Sequence, residues 1–163
     1  MVIFYYIIIA LIFLFDQLTK YLIFTSLPFG HEFKVSAFLS IAHVQNKGAA
    51  FGLFRNQQLF LIIIGILVLF IVTIYRYRKP EASSLLTIGV AFLMGGNLGN
   101  LFDRIYHGFV VDFIRIPYWP TFNIADITIN IGVLLISIFL ITTNDENKVT
   151  AHDVADSSDY GNN

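Results

Sequence analysis

Long apolar runs and short polar segments alternate along this chain. The apolar runs cover about residues 2–24, 59–75, 83–101 and 124–143. Each holds roughly 20 residues, enough at about 1.5 Å per residue to cross a hydrocarbon core of about 30 Å. Between them lie two polar segments, 25–58 and 102–123, and a short loop, Arg76-Tyr-Arg-Lys-Pro80. Within the first segment, Glu32 to Ser36 alternates with period two, and Phe38 to Val44 reads as a second strand. Asp112 lies in an apolar, β-like stretch of the second. The pattern predicts an all-α integral membrane protein: four transmembrane helices, with short strands in the polar segments between them. Residues 1–143 form one domain, and the polar, acidic tail 144–163 is expected to be disordered and cytoplasmic. No Lys or Arg precedes the first run and no small-residue cleavage site follows it, so it reads as a retained span.

Composition agrees with the pattern. Hydrophobic residues make up 56% of the chain and charged residues 13%, with a mean hydropathy of +0.73. A soluble domain carries about a quarter charged residues. The net charge of −1 offers no basic field for nucleic acid. The absence of Cys excludes disulfides, thiolate metal sites and a Cys nucleophile. His31, His43, His107 and His152 are dispersed, without HExxH spacing, and neither a GxSxG elbow nor a Walker loop occurs. No metal or cofactor is expected. Arg76 to Lys79 is the densest basic cluster, so that loop is expected inside, with both termini inside and both polar segments outside.

Charge inside a span is costly and needs a reason. Asp16 lies about 22 Å along the first helix, and Lys20 stands one turn further on the same face. Asn97, Asn100, Asp103 and Arg104 share a stripe at the outer end of the third span, and Asp126 stands in the first turn of the fourth. Gly95, Gly96 and Gly99 allow close helix approach at that level. Polar groups from three helices thus meet near the outer interface. Taken singly, Asp16–Lys20 and Asp103–Arg104 read as well as structural ion pairs or groups snorkelling at helix ends.

The two remaining carboxylates suggest chemistry. Asn123 is a natural N-cap, which makes Asp126 either a capping carboxylate or something more. Asp112, between Val111 and Phe113, has no local reason to be charged and needs a partner. Two carboxylates in one poorly solvated site tend to share a proton, which is the arrangement of aspartic peptidases. Spacing permits this pairing without requiring it. The competing reading is a small non-enzymatic transport or assembly protein that uses its carboxylates for proton or ion handling. A proton relay would spread carboxylates across the bilayer, whereas here they crowd one level.

The motifs, in order, resemble those of the lipoprotein signal peptidases, or signal peptidases II. Asp16-Gln-Leu-Thr-Lys20 is similar to the family's DQxxK, and Asn46-Lys-Gly-Ala-Ala-Phe-Gly52 to its NxGAAFG. Gly95-Gly-Asn-Leu-Gly-Asn-Leu-Phe-Asp-Arg104 is similar to GGxxGNxxDR, Gly108 to Phe113 to GxVxDF, and Phe122 to Asp126 to FNxAD. The resemblance implies an intramembrane aspartic endopeptidase of the bacterial cytoplasmic membrane, acting near its extracytoplasmic face. Asp112 and Asp126 would be catalytic. Asn46, Asn100, Arg104 and Asn123 would line the substrate site, supported by Asp16, Lys20, Asp103 and Gly48. The substrate would be a prolipoprotein carrying diacylglycerol on its Cys, cleaved just before that Cys. The segment 25–58 would form a small extracytoplasmic β-cradle on the four transmembrane helices, and membrane lipid and globomycin-type inhibitors would bind. Asn97 departs from the family, which usually has a small or apolar residue there. Gln45 stands where a basic residue is common. Asp112 and Asp126 are only 14 positions apart.

Overall fold

Among the described residues seven elements follow in order: α1 (Val2–Ser26), β1 (Glu32–Lys34), β2 (Ser40–Asn46), α2 (Gln58–Arg78), α3 (Ser84–Tyr106), β3 (Val110–Arg115) and α4 (Ile124–Asp159). The computed structural model describes residues 2–49, 53, 54, 56–78 and 83–159. The end of the NxGAAFG motif (Ala50, Phe51, Gly52), Arg55 and the end of the basic loop (Lys79, Pro80) lie outside them. All four helices are long and apolar enough to cross a membrane.

The third helix is the hub. In its most apolar stretch 61% is buried, against 17% in α1 and α4 and 6% in α2. Leu86, Val90, Ala91 and Met94 of α3 pack on Tyr5 and Ile9 of α1. Leu11, Leu14, Ile63, Phe70 and Leu134 are more than half exposed. Such apolar area would aggregate in water and is at no disadvantage against lipid. Close approach at the hub depends on two glycines. A Cβ at Gly96 would meet the Ala125 carbonyl and the Thr128 hydroxyl of α4, and one at Gly99 would overlap the Asp16 carboxylate.

Helix ends differ from the sequence expectations in ways local chemistry explains. α3 starts where the Ser83 hydroxyl accepts from the Leu86 amide at 3.3 Å. It continues past Leu101 to Tyr106, because nothing breaks it before Gly108, whose φ is +74°. α4 starts in a reciprocal cap: the Asp126 amide donates to Asn123 Oδ1 at 2.9 Å, and the Asn123 amide to Asp126 Oδ2 at 3.2 Å. α4 does not stop near Thr143. Its backbone is helical to Asp159, through a stretch with neither Gly nor Pro, where a disordered tail was expected.

The cradle also differs from expectation. It is an antiparallel sheet of order β1-β2-β3, and its third strand comes from the second polar segment, not from 25–58. Val44 lies opposite Asp112 and Asn46 opposite Val110. Beyond β3 the chain turns sharply, with Tyr118 at a φ of 64°, and returns so that Phe122 exchanges backbone hydrogen bonds with Ile114. That return is what brings Asn123, and with it α4, beside Asp112.

Candidate active site

The buried charges are arranged around Lys20. Its ammonium lies 2.8 Å from Asp16 Oδ2 and 3.2 Å from Asp103 Oδ2, and donates to Asn100 Oδ1 at 2.9 Å. Asp16, fully buried, also accepts from the Ala125 amide at 2.9 Å, one of the unpaired donors in the first turn of α4. Asp103 accepts from the Val111 amide at 3.0 Å and from Gln17 Nε2 at 3.0 Å. This network therefore ties α1, α3, β3 and the start of α4 together. The expected i, i+4 pair Asp16–Lys20 is present. Asp103 pairs with Lys20 and not with Arg104. Arg104 instead donates to the carbonyls of Asn100 at 3.3 Å and Gly48 at 3.2 Å, while its buried Nε has no partner among the described residues.

Asn100 passes the order of this network to the second pair of carboxylates. Its Oδ1 accepts from Lys20 and from Asn123 Nδ2 at 3.1 Å, so its Nδ2 must point away, and it donates to Asp126 Oδ1 at 2.8 Å. Asn123 Nδ2 also reaches Asp112 Oδ1 at 2.7 Å. Asn46 Nδ2 donates to Asp112 Oδ2 at 2.8 Å, from the diagonal position two residues beyond Val44, and its Oδ1 is held by the Gly48 amide at 2.9 Å. Asp112 and Asp126 are thus oriented by neutral amides, and neither makes a salt bridge among the described residues.

Both carboxylates line one cavity of about 670 Å³, together with Asn46, Asn97, Asn100 and Arg104. Trp119, Pro120, Phe122 and the isoleucines Ile127, Ile129 and Ile131 form an apolar wall beside them. Asp112 is 1% exposed, Asp126 more open. Burial, and then the neighbouring Asp126 charge, push the Asp112 carboxyl up to about 7, against the opposing pull of its Asn46 and Asn123 hydrogen bonds. A carboxyl in that range both holds and releases a proton near neutral pH.

Every site residue named from the sequence lies in this connected set. The roles of Gln17, which bridges α1 to Asp103, and of Asn130 in the cavity wall were not read from the sequence. A lone amide in a span is a weak signal without its partners.

The sequence profile of the Signal peptidase (SPase) II family matches residues 8–142. A lipoprotein signal peptidase of Clostridium novyi (strain NT) is 39% identical over 132 residues, covering 77% of this chain and 89% of the relative. One from Moorella thermoacetica is 41% identical over 123 residues, covering 74% and 81%. A solved bacterial membrane enzyme structure superposes with a TM-score of 0.83 at 35% identity, covering 87% of this chain and 90% of that one.

Proposed function

The chain belongs to the signal peptidase II family, and from that premise we propose that it is an aspartic endopeptidase of the bacterial membrane, cleaving prolipoproteins just before a diacylglyceryl-modified Cys. The single observation that carries the aspartic reading is the pair Asp112 and Asp126. They share one cavity, each is oriented by an asparagine amide, and neither is neutralised by a cation among the described residues.

The pair holds one proton, on the more enclosed Asp112. The Asp126 carboxylate takes a proton from a water whose oxygen attacks the scissile carbonyl carbon. Asp112 gives its proton to the carbonyl oxygen, so a neutral gem-diol forms. In the collapse Asp126 returns a proton to the departing amine nitrogen as the C–N bond breaks, and Asp112 takes one from a gem-diol hydroxyl. A carboxylic acid and an amine result, and the pair is back in its starting state. Arg104 lines the cavity and offers its guanidinium to a substrate carbonyl. The isoleucine wall takes acyl chains, at about 0.8 kcal/mol per buried CH₂. A globomycin-type inhibitor would compete for this cavity. The site would lie near the extracytoplasmic face, with both termini in the cytoplasm.

The test is cleavage of a precursor with and without its diacylglyceryl group by purified protein, alongside Asp112→Asn. Cleavage only of the lipidated form, abolished by the substitution, is expected. Undiminished turnover by the variant would end the aspartic reading, and equal cleavage of both forms would end the lipid-dependent one.

A further inference from the structure

Two amides in the cavity wall take no part in the chemistry above. Asn97 stands on α3 three positions before Asn100, and Asn130 on α4 four positions after Asp126. α3 and α4 pack antiparallel, with Gly96 against Ala125 and Thr128, and Gly89 against Gly132 and Leu135. Both amides therefore lie about one turn, some 4.5–6 Å, deeper toward the middle of the spans than the carboxylates.

Their orientation is set by what their nitrogens do. Asn97 Nδ2 donates to the Gly65 carbonyl of α2 at 2.8 Å, and Asn130 Nδ2 to the Asp126 carbonyl at 2.8 Å. Each Oδ1 is left as an acceptor that receives no hydrogen bond among the described residues. The walls at this level, Ile127, Ile129 and Ile131, offer no donor from their side chains.

A peptide bond inside a helix is screened by its own hydrogen bonds and side chains, so a spanning substrate must unwind before a pair of carboxylates reaches it. Unwinding frees peptide N–H groups at a depth where water is scarce and an unpaired donor is costly. We propose that Asn97 and Asn130 accept those N–H groups, and thereby determine where the signal-peptide helix ends and the extended segment begins. At about 3.3 Å per extended residue, a depth of 4.5–6 Å corresponds to about two residues before the cleaved bond. The inference rests on Asp112 and Asp126 being the peptidase pair. It makes the two asparagines positioning residues, not catalytic ones.

The experiment replaces the peptide N–H of the substrate, one position at a time, by an ester oxygen at the second and third residues before the cleaved bond. With the unsubstituted lipidated peptide as reference, each of these esters should raise KM about tenfold with kcat little changed, the loss of one hydrogen bond. In the Asn97→Leu/Asn130→Leu pair the reference KM should already be raised and neither ester should add to it, while Asn130→Leu, whose lost bond is local to α4, should raise the reference KM and cancel the penalty of the ester at the N–H that Asn130 accepts. Asn130→Asp, which keeps an acceptor, should restore the ester effect. An ester penalty of equal size in wild type and both leucine variants, or none in wild type, would overturn the proposal. Failure of the wild-type enzyme to cleave the unsubstituted peptide would instead overturn the reading of the carboxylate pair.

Discussion

Replacing Asp112 by Asn should abolish cleavage and yet stabilise the folded protein, relative to wild type, as pH rises, and the two effects have one cause. Burial raises the folded-state carboxyl from 3.8 to about 7. A group raised on folding contributes stability that is fully present below its unfolded value and is lost as pH rises through its folded value. Between those limits the unfolded chain has released the proton and the folded one has not, so wild-type stability falls by about 1.4 kcal/mol per pH unit. From pH 4.5 to 8 the loss is about 3 kcal/mol. The substituted amide has no proton to lose, so the variant escapes this slope. That amide does face two donors, Asn46 Nδ2 and Asn123 Nδ2, which lie 2.8 Å and 2.7 Å from the wild-type carboxylate, and one of them loses its acceptor. The mismatch costs about 1–3 kcal/mol at every pH. The variant should therefore be the less stable protein at pH 4.5, and its disadvantage should vanish or reverse by pH 8. Equilibrium unfolding of both proteins in mixed micelles, at half-unit pH steps, gives the difference directly. A difference that stays constant from pH 4.5 to 8 would refute the raised Asp112 and the shared-proton argument built on it.

Three further outcomes follow from the same geometry. An amide at position 126 would also face two donors, Asn100 Nδ2 and the Asn123 amide, with one acceptor between them, so Asp126→Asn should stay folded at a cost of about 1–3 kcal/mol in unfolding. It should nonetheless remove nearly all cleavage, and the double variant with Asp112→Asn should be scarcely worse than either single one; an active, well-folded Asp126→Asn protein would reduce Asp126 to a cap. Lys20→Met strands Asp16 and Asp103, both at most 1% exposed, without their cation, and should cost about 3–5 kcal/mol in the same unfolding assay. Cys introduced at Ser36 or Thr121 should react with an impermeant reagent on intact cells, and Cys at Ser83 or Ser157 only after lysis; the reverse pattern would invert the proposed topology.

What the linear chain determined was local. Membrane spans are legible because the length and uniform apolarity of each run are properties of contiguous residues. The polar residues on those spans stand out because each is expensive there, which is why Asp16, Lys20, Asn100, Asp103 and Asp126 were found without coordinates. Motif order carried the family, and with it the proposal that Asp112 and Asp126 act as a pair. Tertiary structure alone decided what depends on contacts between distant segments. β3 joins the cradle only because Val44 and Asn46 pair with Asp112 and Val110, a register that no local period encodes. Lys20 turns to Asp103, and Arg104 to two carbonyls, because the helix packing around Gly96 and Gly99 fixes which side chains share a dry space. Asn100 becomes the link between the buried charges and Asp126 for the same reason: an amide has one donor end and one acceptor end, and only the fold determines which neighbour meets which.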